Sequence, residues 1–142
     1  MTSAKEDCET LLNATFPHAD QMLREHGEFF PYGGALAPSG EIVAVAGYDG
    51  RARPPSDDVI RLIKAAFVDG AKQGRYQATA LIYDVRIAMP GAGEKSDAVA
   101  VSLNHRDDYS VTVIFPYTLS GEGPDFGPAF AQEGEADIFP QA

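Results

Sequence analysis

The sequence predicts an α+β fold: a five-stranded antiparallel sheet with two helices on one face, in the order α-β-β-α-β-β-β. Three observations point there. Two segments space their apolar residues by three and four, which makes one stripe on a helix. Three longer segments after residue 76 alternate with period two, which gives a strand one buried face and one more polar face. The connectors between those three are short, so the strands are expected to be antiparallel neighbours.

The first helix spans about Ser3 to His26. Its stripe is Cys8, Leu11, Leu12, Thr15, Ala19, Met22 and Leu23. Pro17 falls inside the pattern and removes one backbone bond. The stripe keeps its phase on both sides, so a kinked helix or two abutting helices are expected. Gly27 is a natural stop. Ala35–Ala37 and Glu41–Gly47 read as a hairpin around Pro38-Ser39-Gly40. Ile42 to Ala46 is apolar at every position, which suggests a strand covered on both sides or crossing beside a helix. A loop follows over 48–55, with Arg51 and Arg53. Ser56 is the expected N-cap of the second helix, with Asp57 and Asp58 favourable to its dipole. Val59, Ile60, Leu62, Ile63, Ala66, Phe67 and Ala71 form its broad apolar face, and Gly74 closes it. The three later strands centre on Thr79–Met89, Ala98–Asn104 and Tyr109–Tyr117. Pro90 to Glu94 and Arg106-Asp107-Asp108 connect them.

The chain has 142 residues, which suits one domain. Residues 1–118 are expected to form it, with 119–142 as an acidic arm packed on it or extending from it. The arm from Ser120 has no Lys or Arg, yet it holds Phe126, Phe130, Ile138 and Phe139. A purely solvating tail lacks such residues, so a partly ordered arm with a short strand at Ala136–Phe139 is expected. With 21 acids against 11 bases, the net charge is −10, which argues against nucleic acid or an anionic membrane as partner. A single cysteine, Cys8, excludes an internal disulfide and suits a reducing cytoplasm. No apolar run has spanning length, and the first residues lack the apolar core of a secretory leader.

This element order resembles that of the roadblock, longin and profilin-like folds, although no motif of those families is present. The resemblance bears on fold alone.

Chemistry-bearing motifs are sparse. The sequence contains no H-E-x-x-H, no G-x-G-x-x-G and no phosphate-binding loop. Metal and cofactor are therefore not expected. His18 and His26 lie about 12 Å apart along a helix, too far to share an ion. Phe-Pro occurs four times and extends twice to Phe-Pro-Tyr; each is read first as the end or kink of an element with its ring buried, with Tyr32 and Tyr117 as candidates for one shared pocket or patch. The densest polar cluster is Asn104-His105-Arg106-Asp107-Asp108, read first as a solvated hairpin turn. Asp84 and Arg86 share a strand face and either face that cluster or form an ion network on the open sheet.

The expected function is a protein-binding or regulatory module that self-associates or takes a basic partner, steered by its acidic surface. Its candidate binding residues are Asp84, Arg86, His105, Asp107, Asp108, Tyr32 and Tyr117, with no catalytic residue assigned. The alternative is a small hydrolase or ligand-binding enzyme using His105, Asp107, Asp84 and Arg86.

Overall fold

A computed structural model of the chain describes residues 3–46, 55–88 and 95–139. The expected loop over 48–55, with Arg51 and Arg53, and the connector 90–94 lie outside the described residues except for Pro55. Among the described residues, two helices, α1 (Ala4–His26) and α2 (Ser56–Lys72), accompany seven strands. These are β1 (Tyr32–Leu36), β2 (Ile42–Val45), β3 (Ala78–Ala88), β4 (Lys95–His105), β5 (Tyr109–Ser120), β6 (Gly123–Phe126) and β7 (Phe130–Glu133). The sheet runs β2-β1-β3-β4-β5-β6, with β7 on another stretch of β5. Every pairing is antiparallel. The architecture is α+β, as expected, but the expected five strands become seven because the acidic arm supplies two. The arm's strands fall earlier than expected, and residues 136–139 are not one of them.

The helices lie on opposite faces, which corrects the expectation of a single covered face. Ala78, Ala80 and Ile82 pack in one cluster with Cys8, Leu11, Ala19 and Leu23 of α1. Leu81, between them in sequence, packs with Val59, Ile63 and Phe67 of α2. Successive strand residues point to opposite faces, so the two helices cover opposite sides. The physical reason is readable in Ala78 to Ile82, where every position is buried. A strand without a polar face is one covered twice.

Adjacent glycines on β1 let both helices come close. A Cβ on Gly33 would sit 2.6 Å from Phe67 Cζ, and one on Gly34 would sit 2.6 Å from Thr15 Cγ2. By contrast β2, expected to be buried on both sides, is an edge strand whose Ile42 is exposed. The helices centre on inner strands, and this short hairpin arm lies at the margin of their footprint.

Local chemistry sets the helix ends. Ser3 Oγ accepts the Glu6 N–H at the start of α1, and Gly27 ends it in the left-handed region at φ 71°. Pro17 lies within one continuous helix. Ser56 is the first residue of α2 rather than its cap. Pro55 occupies the cap position without a side-chain bond, and Asp57 and Asp58 supply the favourable first-turn charge. Among the described residues, no helix is long and apolar enough to cross a membrane.

Candidate functional site

The predicted polar residues fall into separate places. Ala78 pairs with His105 across β3 and β4, and Asp84 pairs with Val99. Six residues therefore separate His105 from Asp84 along the strands, about 20 Å at roughly 3.3 Å each. His105, Asp107, Asp84 and Arg86 do not converge on one centre.

His105 is not part of a solvated turn, as expected, but is buried at the end of β4. Its Nδ1 accepts the Asp107 N–H at 3.0 Å, so that nitrogen carries no proton. Its Nε2–H donates to Asp7 Oδ2 at 2.8 Å. Gln77 Nε2 donates to the same oxygen at 3.4 Å. Both ring nitrogens are engaged, so this imidazole ties the start of α1 to the sheet instead of standing ready as a base. Asp7 carries that link and escaped the reading of the residues. A signal existed: Asp7 sits four residues before Leu11, on the apolar stripe itself. An acid there needs a buried partner.

At the far end of the same face, Tyr117 Oη donates to Asp84 Oδ1 at 2.9 Å. Burial pushes the Asp84 carboxyl above its ordinary range, and the Tyr117 hydrogen bond offsets part of that rise. The neighbouring Asp97 charge adds to it. Arg86 reaches Asp97 at 3.5 Å, an exposed cross-strand pair worth little. Asp84 thus bonds Tyr117 while Arg86 pairs with Asp97, and among the described residues no ion pair joins Asp84 to Arg86 in the expected network.

The two tyrosines of Phe-Pro-Tyr do not share a patch. Tyr32 is on β1 and Tyr117 on β5, three strand positions apart and so about 14 Å across the sheet. Tyr32 Oη donates to the Thr15 carbonyl at 2.6 Å and accepts the Ala19 N–H at 3.0 Å. An uninterrupted helix pairs those two groups with each other. The tyrosine is a splint inserted beside Pro17. Burial raises its own hydroxyl pKa to about 12. Cys8, likewise, is buried, and its thiol is pushed up to about 12, first by burial and then by the Asp7 charge. A thiol so raised is a poor nucleophile.

One recess gathers predicted residues with others the sequence reading missed. A cleft of about 310 Å³ opens at the turn between β4 and β5. Asp108, Tyr109, Ser110, Glu133 and Phe139 line it, together with His105 and Arg106. Asp108 holds the turn in the left-handed region at φ 66°, a conformation that aspartate tolerates better than most residues. Asp107, beside it, is exposed and spends its backbone N–H on His105. Glu133 and Phe139 come from the arm, and only the pairing of β7 with β5 brings them here. Local pattern carries no signal for such a long-range pairing.

Among the described residues, no group of three or more His, Cys, Asp or Glu side chains is arranged to hold a metal ion. Compared with family models, curated proteins and solved structures, the chain matches none.

Proposed function

We propose that this chain is a protein-binding module whose cleft between β4 and β5 receives a basic side chain from its partner. The observation that carries the reading is the pair of carboxylates, Asp108 and Glu133, lining one recess beside the Tyr109 and Phe139 rings. Carboxylates with aromatic walls suit a Lys or Arg side chain, through charge and the ring faces together. Arg106 at the same cleft sharpens the choice by repelling a cation that enters out of register. The net charge of −10 adds long-range attraction for a basic partner. Self-association remains the companion expectation, and sedimentation at micromolar concentration reads it directly.

The test is titration with an Arg-containing basic peptide at low salt and again at about 0.3 M salt. Binding should weaken with salt and fall by about tenfold in Asp108→Asn/Glu133→Gln. Equal affinity in the wild type and the double variant would sink the reading.

A further inference from the structure

A different observation lies on the opposite side of the arm. The sheet face under α2 carries a block of polar residues where an apolar floor is the norm. Thr79 pairs with Asn104, and Leu81 with Ser102. Asn104 pairs with Ser110, and Ser102 with Thr112. Thr79, Ser102, Asn104 and Thr112 are all buried. Thr79 Oγ1 is fully buried and has no hydrogen-bond partner. Native structures seldom leave such a group unpaired, because its lost hydration goes unreplaced. Ser110 Oγ donates to Asn104 Oδ1 at 2.8 Å, and no described residue pairs with the Asn104 amide nitrogen. Thr79, Ser102 and Asn104 line a narrow crevice beneath the arm, with Lys64, Asp137 and Ile138 around it. It is too narrow for a water molecule.

The segment Gly134–Phe139 covers this floor as a strap. It sets two carboxylates, Glu135 and Asp137, on Lys64 Nζ at 2.9 and 2.7 Å. Burial alone pulls the Lys64 ammonium down, but its bonds to Asp137 and then Glu135 outweigh that and hold it above its ordinary value. The Ala136 N–H donates to Ser110 Oγ at 3.1 Å. Ile138 is buried against α2, beside the orphan hydroxyl. Delivering these contacts puts Ala136 in the left-handed region, at φ 52°, a conformation that costs an alanine energy. It also requires glycine at 134, where a Cβ would meet Ser110 Oγ at 2.0 Å. The strap thus satisfies the cation, leaves the hydroxyl beneath it unpaired and is itself strained. Backbone strain of this kind gathers at clamps and switch segments.

We infer that this floor is a recognition groove for an extended acidic peptide, and that Gly134–Phe139 is its displaceable built-in occupant. A competing peptide places its carboxylates on Lys64. Where the strap puts Ile138, the competitor offers a hydrogen-bond acceptor to Thr79 and Asn104. When the strap leaves, Glu135 and Asp137 leave with it, so Lys64 sets the local charge despite the acidic surface. At physiological salt the remaining charges are screened beyond about 8 Å. This inference is distinct from the cleft reading, which concerns basic side chains, but the two share the strap: Gly134, Ala136 and Phe139 also line the cleft, so displacing the strap removes that wall of it.

The probe is a fluorescent peptide, Glu-Ala-Asp-Ile-Phe, and a second with Gln in place of Ile, each titrated into the full-length chain carrying Glu135→Ala/Asp137→Ala, which removes the strap's hold on Lys64. Both should bind saturably and weaken by about tenfold in Lys64→Ala. The Gln peptide should bind several-fold more tightly than the Ile peptide, and Thr79→Val should abolish that difference. Thr79→Val in the full chain should leave the melting temperature unchanged or raise it, since it removes the unpaired hydroxyl. Absence of saturable binding to a folded variant overturns the inference, and so does equal affinity for the two peptides.

Discussion

The link between Asp7 and His105 has unequal halves. The ring is neutral, with its single proton on Nε2, while the acid it meets is a carboxylate. Removing Asp7 leaves an unpaired neutral N–H, at a cost of about 1–3 kcal/mol. Removing His105 leaves a buried carboxylate short of its main donor, at about 3–5 kcal/mol. Urea denaturation at neutral pH should therefore rank His105→Ala below Asp7→Ala in stability, and the reverse order contradicts the neutral ring. Asp84 acts through pH. Its folded-state pKa is raised above the ordinary 3.8, so the folded chain binds that proton more tightly than the unfolded chain does. Its contribution to stability is greatest at low pH and is lost as pH rises from 3.8 through the folded value. Asp84→Asn should stabilise the chain at neutral pH, with the gain shrinking towards zero below the carboxylate range. A gain that does not vary with pH would show that desolvation of Asp84 is not its cause.

Between α1 and α2, strand β1 works as a spacer two glycines wide. Gly33→Ala drives a Cβ into Phe67 and to 3.0 Å from the Ala80 carbonyl, whereas Gly34→Ala drives one into Thr15. Each overpacking should cost about 1–3 kcal/mol. The two should be rescued differently: Phe67→Leu should relieve the Gly33 variant alone, and Thr15→Ser the Gly34 variant alone. Double-mutant cycles read this directly. Both helices and strands β3 to β5 were legible in the sequence, because their periodicity is local; the β1–β2 hairpin was legible from its Pro38-Ser39-Gly40 turn, but β1 begins at Tyr32 and ends at Leu36, not at the expected Ala35–Ala37. The side of the sheet each helix takes was not, although Ala78 to Ile82 carries no charge and, Thr79 apart, no polar side chain, which already implies cover on both faces. The short strands β6 and β7 escaped notice because acids and prolines mask their period, and their pairing with β5 is set by tertiary contact. Of the candidate site, His105 and Asp108 were found from a dense polar run. Asp7, Glu133, Lys64 and Thr79 were not, because each matters only through a partner more than twenty residues away.

At the scale of the whole molecule, the two covered faces decide where recognition happens. With α1 on one side and α2 plus the strap on the other, what remains is the rim: the cleft at the turn between β4 and β5, and the strap itself. The acids are divided accordingly. Glu135 and Asp137 are engaged by Lys64, and Asp108 and Glu133 stand at the cleft. Everything proposed here about that rim requires the helices to be on opposite sides. The most direct measurement is a set of proton–proton nuclear Overhauser effects to the two β1 glycines. The Gly33 α-protons should show contacts to the Phe67 ring, and the Gly34 α-protons to the Thr15 methyl. Contacts from Phe67 to Ala80 and Ile82 side chains, on the α1 face, would place both helices together and contradict the account.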